Sequence, residues 1–128
     1  MIRAGIAILL LLTSCSRGPR ISESLAPASL DGGWSLMEHR ELAINEVPDL
    51  VRSLGWKRSV SARYSGPATM DVRLHEMTSR TVAFECAQKW RHAPGTMAFH
   101  SGPRFVLVEG ETARLQAFVN SLEKKLSE

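Results

Sequence analysis

Apolar and polar residues alternate strictly along two neighbouring stretches of this chain. Val60, Ala62 and Tyr64 are interleaved with Ser59, Ser61 and Arg63, and Met70, Val72 and Leu74 with Asp71, Arg73 and His75. A repeat of two is that of an extended strand with one buried face and one wet face. Ser65-Gly66-Pro67 supplies turn residues between them, so the two runs are expected to form a hairpin. The same device recurs later, with Met97 to His100, a turn at Ser101-Gly102-Pro103, then Phe105 to Val108. The last of these runs is apolar on both faces, which places it inside the sheet. A shorter alternation at Trp34 and Leu36, after the turn residues Asp31-Gly32-Gly33, predicts a first strand.

Three other stretches repeat at three and four. Val47, Leu50, Val51 and Leu54 predict a short helix over Glu46–Leu54, with Asn45 as its cap, Pro48 in its first turn and Gly55 at its end. Val82, Ala83, Cys86, Ala87 and Trp90 form the apolar stripe of a second helix, capped by Thr78 or Ser79, running to about His92 and stopped by Pro94-Gly95. Leu115, Phe118, Val119, Leu122 and Leu126 define a third over Glu111–Leu126, with Lys124 and Lys125 near the end the helix dipole makes negative. Hairpins join most of the strands. The expected fold is therefore α+β, an antiparallel β-sheet of about five strands with two or three helices packed on one face.

The start of the chain follows a different rule. Met1-Ile2-Arg3 carries one positive charge, Ala4 to Leu12 is apolar, and Thr13-Ser14-Cys15 follows. That is the layout of a secretory signal peptide, and its apolar run is too short for a membrane-spanning helix, which needs ~20 residues. Residues 16–30 are dominated by Ser, Pro and charge and show no period. Together with Cys15 they are expected to form a flexible tether over 15–30, leading to a single domain over 31–128.

Leu12-Thr13-Ser14-Cys15 resembles the lipobox of bacterial lipoproteins. The resemblance implies cleavage after residue 14 and a diacylglyceryl group on the thiol of Cys15. It thus implies a protein held to the cell envelope by lipid and facing the periplasm. Ser16, where Asp is absent, implies the outer membrane in a cell that has one. Stable anchoring takes two acyl chains, at ~0.8 kcal/mol per buried CH₂. The stretch from Tyr64 to Phe118, with Gln88-Lys89-Trp90 on its helix, is similar to small uncharacterised exported bacterial domains, a likeness that transfers no activity.

Removing residues 1–14 from the 128 leaves 114, enough for one domain. The net charge is +3 over the whole chain, of which Arg3 supplies one unit, so nucleic acid is not an expected partner. Hydrophobic residues make up 44% of the chain, too many for a disordered one. There are two cysteines. With Cys15 lipidated, Cys86 is left without a disulfide partner and is expected to be buried as a small apolar residue.

Motifs of known chemistry fail on spacing. His75-Glu76 opens like a zinc-protease helix, but position 79 holds Ser79 where the second His belongs. His39, His75, His92 and His100 have no close ligand spacing, and no nucleophile elbow, phosphate loop or haem-attachment motif is present. No cofactor and no metal are expected. One constellation remains. If the helices cover the Val60/Met70 face, the opposite face presents Arg63, Asp71, Arg73 and His75, with His100 and Arg104 as further candidates. Two guanidinium groups, a carboxylate and an imidazole on adjacent strands suit an anionic ligand such as a carboxylate, a phosphate or an acidic sugar. Trp34, Trp56 and Trp90 are expected to pack in or around the core. The leading expectation is a non-enzymatic binding or assembly module for an anionic glycan or an envelope protein. A small hydrolase of an envelope polymer, with His75 and Asp71 as acid and base, and a purely structural lipoprotein are the alternatives.

Overall fold

The computed structural model describes residues 25–128. The signal segment, the lipobox and Cys15 lie outside the described residues. Six strands form a single sheet: β1 (Ser29–Leu30), β2 (Trp34–Glu41), β3 (Trp56–Ser65), β4 (Thr69–Met77), β5 (Thr96–Ser101) and β6 (Arg104–Gly110). Three helices accompany it: α1 (Asp49–Gly55), α2 (Arg80–Lys89) and α3 (Thr112–Leu126). Every strand pairing is antiparallel and the order across the sheet is β1-β2-β3-β4-β6-β5. The α+β class and both predicted hairpins are present, and β6 lies between two partners, as its apolar faces require.

The core is divided by the sheet. On one face, α3 brings Leu115, Phe118, Val119 and Leu122 against Val60, Ala62, Tyr64, Met70, Val72, Leu74, Val106 and Val108. On the other, α1 and α2 bring Val51, Ala83 and Cys86 against Met77 and Phe105. The helices thus occupy both faces instead of the single expected one. The second layer is short, because α1 has seven residues and α2 ten, and it covers only part of its face.

Local chemistry explains the boundaries. Ser79 caps α2 through its hydroxyl, which accepts the Val82 N–H at 3.2 Å. The expected helix over 46–54 splits in two: a 3-10 turn at Ile44–Glu46, then α1 from Asp49. The residue before a proline avoids the helical region, and Val47 before Pro48 is extended (φ −96°, ψ 133°), so the helix restarts after the proline. Glu46, not Asn45, satisfies the free backbone, accepting the Ala43 N–H at 2.9 Å. At the end of α1, Gly55 takes φ +136°, where a side chain would be strained, and its carbonyl accepts the Thr78 N–H at 2.9 Å. That bond ties the start of β3 to the start of α2.

Residues 25–30, expected to belong to the tether, are part of the domain. Leu25, Ala26 and Leu30 are buried, Ser29–Leu30 pairs with β2, and the Tyr64 hydroxyl donates to the Pro27 carbonyl at 2.7 Å. Three apolar residues without period give no local signal, and only the groove beside α3 makes them core. Among the described residues no helix is long and apolar enough to cross a membrane.

Candidate functional site

Register sets three rows of side chains on the sheet face opposite α3. The first holds Glu38, Arg63, Asp71, Glu109 and Thr96, from β2 to β5. The second holds Arg40, Ser61, Arg73, Leu107 and Ala98, and the third holds Ser59, His75, Phe105 and His100. Successive rows are about 7 Å apart, two residues of strand.

The rows differ because α1 and α2 roof the third, and of the second they reach only Leu107 and Ala98. Ser59, His75 and Phe105 are fully buried there, whereas Arg63, Asp71 and Arg73 are exposed. The expected four-residue constellation is therefore three residues in solvent and one inside the protein. His75 points to the same face as Asp71 and Arg73, as alternation requires, but beneath the helices. It and Asp71 are four residues apart along β4, about 13 Å, so they do not converge as an acid and base pair. His100 belongs to the roofed row and meets Phe84 edge-on at 5.3 Å. Arg104, in register with Glu76, falls on the opposite face.

Inside the roofed end, Trp56 Nε1–H donates to Ser59 Oγ at 2.6 Å, and Ser59 Oγ lies 2.5 Å from His75 Nδ1. The indole N–H can only donate, and Ser59 Oγ, which has two acceptor sites and one hydrogen of its own, shares a second hydrogen with His75 Nδ1. His75 Nε2 is buried and makes no hydrogen bond among the described residues. The ring lies nearly parallel to Phe105, centroids 5.9 Å apart. Burial, reinforced by the charge of Arg73, pushes the imidazole down to about 4, so it is uncharged at neutral pH. Cys86 is fully buried as expected, and burial pushes its thiol up.

The open end carries the charges. Arg63 Nε donates to Asp71 Oδ1 at 2.8 Å, with Glu38 3.9 Å from the same guanidinium. Asp71 is the chief reason that Arg63 holds its proton more firmly than usual. Arg40 grips Glu46 with two bonds, at 2.9 and 3.1 Å. That grip, with the Ala43 N–H, lowers the Glu46 carboxyl to about 2, and Arg73 adds to the pull. Arg73, Arg91 and Glu109 make no ion pair among the described residues.

These three line a cleft of about 390 Å³ between the sheet and the turn that follows α2. Arg63, Asp71, Ser61 and Leu107 form its floor, and Trp90 and Arg91 its wall. Trp90, the residue that ends α2, also packs on Phe105 at 5.6 Å, so the core fixes its ring. A smaller hollow of about 180 Å³ over Glu38, Arg40 and Ser61 continues the cleft across β3. Among the described residues no group of three or more His, Cys, Asp and Glu stands close enough to hold a metal ion.

Trp90, Arg91 and Glu109 are additions to the expected site. The 3.6-residue stripe places Trp90 in the core, which holds for one side of its ring. Arg91 follows the helix and Glu109 ends a strand, and neither position has a local signal. Comparison of the chain with protein-family models, with curated proteins and with solved structures returns no match.

Proposed function

We propose that this chain is an envelope lipoprotein, tethered through Cys15, whose folded domain is a non-enzymatic module binding an anionic ligand. One observation carries the ligand class: Arg73 and Arg91, both without an ion pair among the described residues, line the same cleft beside a tryptophan. Arg63 is spent on Asp71, and Arg40 on Glu46. A guanidinium presents a planar fork of donors that matches a carboxylate, sulfate or phosphate, and the field of two of them in one cleft favours an anion over a neutral molecule. Holding the ligand needs no general base. Arg73→Ala and Arg91→Ala should each weaken binding of a carboxylated or sulfated saccharide about tenfold, the effect of losing ~1.5 kcal/mol of charge-assisted hydrogen bonding. NMR titration of the full-length protein measures it, and unchanged affinity in both variants would remove the basis of this reading.

The lipobox supports the tether. Cys15→Ala is expected to leave the signal uncleaved by the lipoprotein pathway and the protein without acyl chains. Intact-mass spectrometry of the membrane-extracted protein distinguishes the two forms. A wild-type N-terminus free of lipid would refute the anchoring.

A further inference from the structure

We infer that the ligand of the cleft is an acidic sugar, a hydroxylated ring bearing a single carboxylate of the hexuronic type. This rests on the anion-binding reading above and narrows it. Volume comes first. At about 390 Å³ the cleft is within the ~300–1,000 Å³ range of small-molecule sites, whereas an inorganic anion at Arg73 would leave most of it as water.

Charge distribution comes next. Arg73 and Arg91 supply the cationic side, but Asp71 and Glu109 are cross-strand neighbours on the same floor, one row away from Arg73. A polyanion such as a diphosphate would bring its second charge onto those carboxylates. A flat aromatic acid would cover Glu109 with apolar surface and leave the carboxylate without a donor. Hydroxyl groups resolve this, because each can donate to a carboxylate oxygen in a short, charge-assisted bond. Ser61 adds a hydroxyl able to donate or accept, whereas that of Thr96 is engaged by the Ala93 backbone, donating to its carbonyl at 2.6 Å and accepting its N–H at 3.1 Å.

Trp90 supplies the third element. Its ring, braced from behind by Phe105, forms part of the wall, and Leu107 lies on the floor. The C–H face of a sugar ring is apolar and flat enough to pack on an indole, while its edge carries the hydroxyls. A ring standing against Trp90, with its carboxylate at Arg73 and Arg91 and its hydroxyls toward Glu109 and Asp71, satisfies each of these groups.

Glucuronate, glucose, cyclohexanecarboxylate and inorganic sulfate test this when titrated into the full-length protein by NMR. Cyclohexanecarboxylate has the ring and the charge without the hydroxyls, and glucose the hydroxyls without the charge. Glucuronate is expected to bind at least about tenfold more tightly than either. Glu109→Gln, an exposed and nearly isosteric change, is expected to weaken glucuronate about fivefold while leaving sulfate unchanged or tighter. Simple charge attraction predicts that this variant tightens both. Cyclohexanecarboxylate or sulfate binding as well as glucuronate, or tighter glucuronate binding by Glu109→Gln, would overturn the sugar assignment and leave the anion reading standing. No binding by any of the three anions would overturn both.

Discussion

Phe118→Ala should lower folding stability by about 4 kcal/mol, within the ~3–5 kcal/mol typical of emptying a buried phenylalanine site. Phe118 is fully buried on the inner face of α3. The Trp34 ring meets it edge-on at 4.9 Å, and the Tyr64 ring packs against it at 5.4 Å. Both contacts go at once, because the two rings cannot follow the shortened side chain. Trp34 is fixed in β2, and Tyr64 is held by β3 and by its bond to the Pro27 carbonyl. The cavity also loosens residues 25–30, which close the same cluster. Urea unfolding measures the effect as a fall in midpoint at unchanged slope. A loss under about 1 kcal/mol would mean that α3 is not docked as described.

The second large effect is acid sensitivity centred on His75. In the unfolded chain its imidazole protonates near pH 6.5, whereas in the fold burial lowers it to about 4. Between those values the unfolded state carries a proton that the folded state refuses. Stability is therefore fully present above about pH 6.5 and falls as pH drops through the window. At ~1.36 kcal/mol per pKa unit, the loss by pH 4 is about 3 kcal/mol. That is a large part of the ~5–15 kcal/mol that holds an ordinary domain together.

Glu46 contributes below that window. Its lowered carboxyl favours the fold above the ordinary carboxylate value, and the benefit is lost as pH falls from 4.5 toward 2. His75→Phe keeps a ring against Phe105 and removes the titration. Its stability at pH 7 should be lower, since Ser59 loses its imidazole partner, but its drop from pH 7 to pH 4.5 should be smaller than that of the wild type. Equal drops in the two proteins would show that His75 is not the group that titrates.

The two ends of this sheet face therefore serve different purposes. Ser59 and His75, under α1 and α2, join the layer that fixes Phe105, and Phe105 in turn braces Trp90. One row further on the same strands present Arg73 to solvent, and two rows further on Arg63 and Asp71. A defect under the roof is transmitted to the cleft through the Phe105–Trp90 contact, whereas changes at Arg73 or Glu109 are expected to alter binding with little effect on folding. Combining urea unfolding with anion titration separates the two kinds of variant.

The sequence by itself determined the local elements and their faces. Alternation in 59–64 and 70–74 assigns every side chain to one side of β3 or β4, because successive residues of a strand point to opposite sides. Val60 and Met70 sit in the core and Arg63 and Asp71 on the other face as that rule demands, and Cys86, Phe118 and Leu122 lie on the buried stripes of their helices. Tertiary structure alone decided what covers each face and for how far. Period two cannot distinguish Arg73 in water from His75 two residues later under a helix, since both point the same way. That difference comes from α2 folding back over one end of the sheet after the Ser79 cap. Nor could a stripe rule show that Trp90 has a second side, or that Arg91 and Glu109, 18 residues apart in the chain, line one cleft. Burial and convergence depend on contacts between elements distant in sequence, and a pattern within any one element carries no record of them.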